Sequence, residues 1–70
     1  MTKKVKITTE YIKLDQLLKL ADYVQTGGEA RGFIAGASIL VDGQPTWSRG
    51  KKIYPGSTVT VGTDELLICS

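Results

Sequence analysis

The sequence predicts an α+β fold in which two short helices, forming a helix-turn-helix pair, pack on a small, mostly antiparallel, twisted β-sheet. Apolar residues recur at helical spacing from residue 14 to residue 37, and the period changes to two from Ser38 onward. Asp42-Gly43 and Pro55-Gly56 are typical of tight turns. A chain of 70 residues is expected to form a single domain, residues 1–70, with little core to spare for an enclosed active site.

The N-terminal part of the chain predicts a strand followed by a helix. Val5 and Ile7 alternate with polar residues, as in a short, half-buried strand. A first helix is predicted to follow, with Asp15 as its N-cap. Its apolar face consists of Leu14, Leu17, Leu18, Ala21 and Val24.

A second helix is predicted to begin after Thr26, where Thr26 and Glu29 have the spacing of a capping box. Its apolar face consists of Ala30, Phe33, Ile34 and Ala37. On another side, Arg31 lies among the small residues Gly28, Gly32 and Ala35. This bare side either lets a nucleic-acid backbone approach while Arg31 binds a phosphate, or lets two elements of the protein pack tightly.

The remaining sequence predicts four strands. Ile39 and Val41 lie on one side of a strand that ends in the hairpin turn Asp42-Gly43. Pro45 makes the returning segment a poor central strand. After Pro55-Gly56, residues 57–61 alternate cleanly, and Glu65–Cys69 is predicted to be the last strand.

The composition disfavours an enzyme or a metal protein. The chain has no histidine, and its single cysteine, Cys69, follows an apolar run that is typical of a buried strand. The adjacent acids Asp64-Glu65 are predicted to be solvated in a surface turn. The sequence contains no cofactor motif and no apolar run of about 18 residues, the length that spans a membrane. Its basic first residues, Met1–Lys6, do not resemble a signal peptide. We therefore expect a cytoplasmic, cofactor-free monomer.

The charge distribution points to a polyanionic partner. The net charge is only +2, but between Gly43 and Thr63 the charged residues are Arg49, Lys51 and Lys52, all basic. Trp47, just before them, is predicted to cap the edge of the core rather than to stack on a base. The alternative is that the basic residues Arg49, Lys51 and Lys52 form a solvated face that only aids solubility.

The start of the second helix is a further candidate for binding phosphate. The N–H groups near Thr26, Gly27 and Gly28 are free to bind an anion if this end of the helix is exposed. They would then face the same way as Arg31.

Several segments in this order resemble the RNA-binding domain first defined in small-subunit ribosomal protein S-four, also called the αL RNA-binding motif. They are Lys13-Leu14-Asp15 with Leu18, then residues 26–34, then Ile39-Leu40-Val41-Asp42-Gly43. Residues 49–56, RGKKIYPG, are similar to the short stand-alone bacterial members. The resemblance covers about residues 12–61, the core of the motif.

The resemblance implies binding of structured RNA, ribosomal or transfer RNA, in ribosome assembly or translation, with a ribosomal subunit as a further candidate partner. The positions that match polar or basic residues of the motif are Lys13, Thr26, Arg31, Arg49, Lys51 and Lys52. Gly27 and Ala37 depart from the pattern, in which a basic residue and a glycine are common. Gly27 therefore shifts the expected phosphate binding toward Arg31 and residues 49–52.

Other classes of protein stay open. A protein-interaction module would use the basic cluster to bind an acidic partner. A sulfur carrier of the β-grasp type is less favoured, because such carriers end in Gly-Gly, whereas the last residues here are Ile68-Cys69-Ser70. Binding of single-stranded DNA is a weaker variant, because aromatic residues are scarce.

Overall fold

The computed structural model describes residues 2–70 and confirms the predicted α+β class. Met1, the first residue of the predicted domain, lies outside the described residues. The helices are α1 (Leu14–Leu20) and α2 (Gly27–Gly36). The strands are β1 (Thr2–Lys6), β2 (Ile12–Lys13), β3 (Ile39–Val41), β4 (Gln44–Pro45), β5 (Lys52–Ile53), β6 (Thr58–Val61) and β7 (Asp64–Cys69).

The main sheet has five strands in the order β1-β7-β6-β3-β4. Three of its neighbouring pairs are antiparallel, and β1 runs parallel to β7. Pro45 lies in the edge strand β4, as the sequence predicted for a residue that cannot donate a ladder hydrogen bond. The sequence pattern does not predict the small second ladder, in which β2 pairs with β5.

The core lies between the two helices and one face of the sheet. Leu14, Leu17 and Leu18 of α1 are completely buried, and Ala30 and Ile34 of α2 are buried beside them. The sheet contributes the alternate residues Ile39, Val41, Val59, Val61, Leu66 and Ile68. Among residues 2–70, no helix is both long and apolar enough to cross a membrane.

The first helix differs from its prediction at both ends. Its N-cap is Lys13 and not Asp15, and the Lys13 side chain makes no capping hydrogen bond. The helix ends at Leu20, and Asp22 then adopts a left-handed φ of 66°. Val24 is therefore outside the helix, although it is still buried as its apolar character requires.

The second helix begins as predicted, with one detail changed. The Thr26 hydroxyl accepts a hydrogen bond from the Glu29 N–H at 3.2 Å. The Glu29 carboxylate accepts from the N–H of Gln25 at 3.1 Å, one residue before the partner that a capping box requires. The carboxylate thus holds the turn that leads into α2.

Both predicted turns are confirmed. Asp42 and Gly43 have φ values of 52° and 82°, as the hairpin turn between β3 and β4 requires. Gly56 has φ 97°, and the Ser57 N–H donates to the Tyr54 carbonyl at 3.1 Å, which closes the turn at Pro55-Gly56.

Asp64 has a structural role that the sequence did not indicate. It is the first residue of β7 and is partly buried, not solvated in a surface turn. Its carboxylate accepts a 2.8 Å hydrogen bond from the Tyr23 hydroxyl. The prediction of a solvated pair at Asp64-Glu65 is therefore wrong for Asp64.

Candidate nucleic-acid interface

The segment Ser48–Lys52, which we call the basic loop, is fixed to the start of α1 by its main chain. The N–H groups of Leu14 and Asp15 donate to the carbonyls of Lys51 and Arg49, at 2.9 and 3.0 Å. A turn closed by the Lys51 N–H and the Ser48 carbonyl shapes the loop. These backbone bonds replace the side-chain cap that was predicted from Asp15, and all the residues of the loop are exposed.

Lys13 and Lys52 lie directly opposite each other in the β2–β5 ladder, and both are exposed. Like charges in such a pair repel and destabilise the ladder. The Lys52 ammonium lies 5.0 Å from the centre of the Tyr11 ring, and that ring packs at 5.8 Å against Tyr54. The ladder therefore holds two positive charges together beside an aromatic pair.

A surface pocket of about 310 Å³ brings Arg31 of α2 and Arg49 of the basic loop together. Trp47 and Ile34 complete its lining. Trp47 is 72% exposed, so the prediction that it packs against the core is wrong. The core beneath is filled by aliphatic side chains and Ala30, which leaves the indole outside.

The bare side of α2 is open to solvent. Gly28, Arg31, Gly32 and Ala35 are all exposed. A Cβ atom added at Gly32 or Gly36 would meet nothing within 4 Å beyond its chain neighbours and the backbone of its own helix, among the described residues. Tight packing of a second element against these residues, one of the two interpretations of the sequence, is therefore wrong.

The start of α2 presents a weaker anion site than the basic loop. Within residues 2–70, the N–H groups of Gly27 and Gly28 donate to no protein acceptor. However, the Glu29 carboxylate lies at this end of the helix, and the Thr26 hydroxyl is already an acceptor for the Glu29 N–H. Among the described residues, no hydrogen bond connects Thr26, Gly27 or Gly28 with the basic loop, and none of the three lines the pocket between Arg31 and Arg49.

Five of the eight predicted site residues thus lie together around the basic loop, whereas the three at the start of α2 do not join them. The five are Lys13, Arg31, Arg49, Lys51 and Lys52. In the part of the chain that the structure describes, none of these five cations forms an ion pair with a carboxylate. Their charges are consequently available to a partner.

Two aromatic residues of this face could not be predicted from the sequence. Tyr11 and Tyr54 are 43 positions apart in the sequence, and only the β2–β5 ladder brings their rings together. No local pattern indicates this pairing. Across residues 2–70, no group of three or more acidic, cysteine or histidine side chains is placed to hold a metal ion.

The chain is similar to known proteins both as a family and in an individual relative. The model of a family described as S4 domain matches residues 5–69, a range that includes both helices and the basic loop. A relative from Bacillus subtilis (strain 168), named "Probable ribosome maturation protein RlbA", is 43% identical over 61 residues. The aligned region covers 87% of this chain and 86% of that relative.

Proposed function

The chain belongs to the S4 domain family, and from that premise we propose that it binds structured RNA without catalysing a reaction. The proposed contact face consists of Lys13, Arg31 and the basic loop. The start of α2 lies outside this face, and we propose it as a separate, weaker phosphate contact: the N–H groups of Gly27 and Gly28 are free, and the Thr26 hydroxyl shapes their turn.

The juxtaposition of Lys13 and Lys52 is the observation on which the proposal rests. Two like charges opposite each other weaken the ladder that holds them, and no acidic side chain of the described residues neutralises either one. A phosphate group between the two ammonium groups removes that repulsion and gains two charge-assisted hydrogen bonds. The arrangement therefore suits a partner that brings closely spaced negative charges.

Ribosomal RNA is the RNA class that we propose. The similar protein from Bacillus subtilis is named as a ribosome maturation protein. We propose that this chain likewise acts in ribosome assembly or translation, as a cytoplasmic monomer that contacts ribosomal RNA within a subunit or its precursor. No cofactor enters this proposal, because binding requires only the charges and shape of the face.

The test is fluorescence-anisotropy titration of a structured ribosomal RNA fragment, duplex DNA and single strands across a series of salt concentrations. Four to six phosphate contacts predict a slope of about −3 to −5 in a plot of log affinity against log salt. The variant Arg49→Gln, Lys51→Gln, Lys52→Gln is expected to make the slope shallower by about 2 to 3. Folded RNA is expected to bind more tightly than the other nucleic acids.

A matched variant controls for net charge. Lys4, Lys6 and Lys19 are exposed cations outside the proposed face, and their replacement by glutamine removes the same charge. This variant is expected to keep most of the affinity for RNA. Equal losses in the two variants, or equal binding of all nucleic acids, would reject the site and favour a generic basic surface or an acidic protein partner.

A further inference from the structure

Trp47 differs from the other aromatic residues in having no ring partner. Tyr11 packs against Tyr54, and Tyr23 packs against Phe33. Among residues 2–70, no ring or ammonium group is within contact distance of the indole, and 72% of its surface is exposed. Exposing so much apolar area is unfavourable in water, and the fold buries only a small part of this side chain.

The main chain around Trp47 is nevertheless held in place. The N–H of Thr46 donates to the Ile39 carbonyl at 3.0 Å, and the N–H of Ser48 donates to the Thr46 hydroxyl at 3.4 Å. The turn from Ser48 to Lys51 follows directly. The indole is therefore presented from a backbone that is fixed on both sides, which lowers the entropy lost when a ligand stacks on it.

The pocket beside the indole combines one flat aromatic surface with two cations. Arg31 and Arg49 both line it, its remaining member is the aliphatic Ile34, and it has no acidic lining residue. Its volume of about 310 Å³ lies at the small end of the range for sites that take small organic groups. A double helix is far too large for such a site, whereas a single planar base fits this size class.

We infer that this pocket binds one unpaired RNA base, which stacks on Trp47 while its flanking phosphates bind Arg31 and Arg49. Unpaired bases are recognised by stacking on aromatic rings and on guanidinium planes, and arginine binds phosphate in a bidentate manner. The inference rests on the proposed function, and it adds the class of RNA structure: a helix interrupted by a bulged or looped-out nucleotide.

Two RNA hairpins that differ by a single bulged nucleotide test the inference. The chain contains one tryptophan, so indole fluorescence reports on this pocket alone. The bulged hairpin is expected to quench this emission and to bind about 5- to 150-fold more tightly than the fully paired hairpin, the range that stacking of one base provides. The paired hairpin is expected to leave the emission nearly unchanged.

Substitutions at Trp47 separate stacking from apolar contact. Trp47→Leu keeps an apolar side chain but has no flat face, whereas Trp47→Phe keeps a ring. The leucine variant is expected to bind both hairpins with the affinity of the paired one, and the phenylalanine variant is expected to recover part of the preference. Because the indole is mostly exposed, both variants are expected to fold.

The outcomes distinguish this inference from the proposed function. Equal binding and equal emission for the two hairpins would overturn the inference and leave general RNA binding intact. A bulge preference that survives in Trp47→Leu would also overturn it, because the base would then be bound elsewhere. If neither hairpin binds, the proposed function fails together with the inference, and the exposed indole is better explained as a contact for a protein partner.

Discussion

The Tyr23 hydroxyl donates a 2.8 Å hydrogen bond to Oδ2 of Asp64, and this bond ties the segment between the two helices to the first residue of β7. Tyr23→Phe removes the bond without changing the ring that packs on Phe33. We expect the free energy of unfolding to fall by about 0.5–1.5 kcal/mol. Urea denaturation followed by circular dichroism measures this change, and an unchanged midpoint would show that the bond contributes nothing.

The same contact predicts a pH dependence at the alkaline end. Burial, and then the hydrogen bond and charge of Asp64, raise the pKa of Tyr23 above its ordinary value of 10.0. A raised pKa in the folded state favours the neutral phenol, so this stabilisation is complete below pH 10.0 and disappears as the pH rises through the folded-state pKa. Ultraviolet titration should show one tyrosine that ionises late.

The variant Asp64→Asn separates the causes of that shift. It removes the negative charge, so the pKa of Tyr23 is expected to move toward its ordinary value. It leaves the burial of the ring in place, so part of the shift is expected to persist. A pKa of Tyr23 that does not move in this variant would exclude the charge of Asp64 as a cause and leave burial and the hydrogen bond, which the asparagine oxygen can still accept.

Lys13→Glu is expected to stabilise the protein while it weakens RNA binding. The change converts the repulsive pair with Lys52 into an attractive one, which raises the free energy of unfolding by about 0.2–1 kcal/mol. It also removes a cation from the proposed face, so the affinity for RNA should fall. Thermal unfolding and anisotropy titration of the same preparation measure the two effects.

Lys6→Glu is the control for Lys13→Glu, because it changes the net charge equally at an exposed position on β1. Its affinity for RNA is expected to change much less. A loss of stability in Lys13→Glu would contradict the assigned cost of the like-charge pair.

Gly32 tests the bare side of α2. Gly32→Ala is expected to stabilise the helix by about 1 kcal/mol, because open space surrounds the position. Gly32→Gln is also compatible with the helix, but its longer side chain should hinder an RNA backbone that approaches Arg31. Weaker RNA binding in Gly32→Gln alone, with both variants fully folded, is the expected result; equal binding would place the RNA away from this side.

Thr26→Ala is expected to lower the free energy of unfolding by about 0.5–2 kcal/mol, because the N–H of Glu29 loses its acceptor. Thr26→Ser retains the hydroxyl and should restore most of the stability. Denaturant unfolding of the three proteins provides the comparison. An alanine variant as stable as the parent would mean that water replaces this cap without cost.

Local chemistry was sufficient to predict the second helix and the two turns. The cap at Thr26, the buried pair Ala30 and Ile34, and the left-handed backbone at Gly43 each depend on residues close together in the sequence. The start of α1 could not be predicted in this way, because its first N–H groups bind carbonyls of a loop that lies far along the chain. Asp15 is a favoured residue type for an N-cap, but the main-chain carbonyls of Arg49 and Lys51 accept the hydrogen bonds at this end of the helix instead.

The sequence predicts which charged residues form the candidate site, but it does not predict how the fold arranges them. Arg49, Lys51 and Lys52 stand out in the sequence as basic residues without acidic neighbours. The pairing of Lys52 with Lys13 depends on the register of a two-residue ladder, for which no periodicity exists. Trp47 was expected to cap the edge of the core because of its apolar character, but aliphatic side chains fill the core and leave the indole mostly exposed.

The carbonyls of Arg49 and Lys51 bind the first N–H groups of the first helix, whereas the side chains of the same two residues are exposed to solvent. The main chain therefore determines the geometry of the loop, and the side chains determine its charge. Replacement of a side chain in this loop can change the ligand that the surface binds with little effect on stability. A single inserted residue would instead displace the carbonyls from the N–H groups of Leu14 and Asp15 and destabilise the start of the helix. Over evolutionary time, such a loop is free to vary in composition and constrained in length.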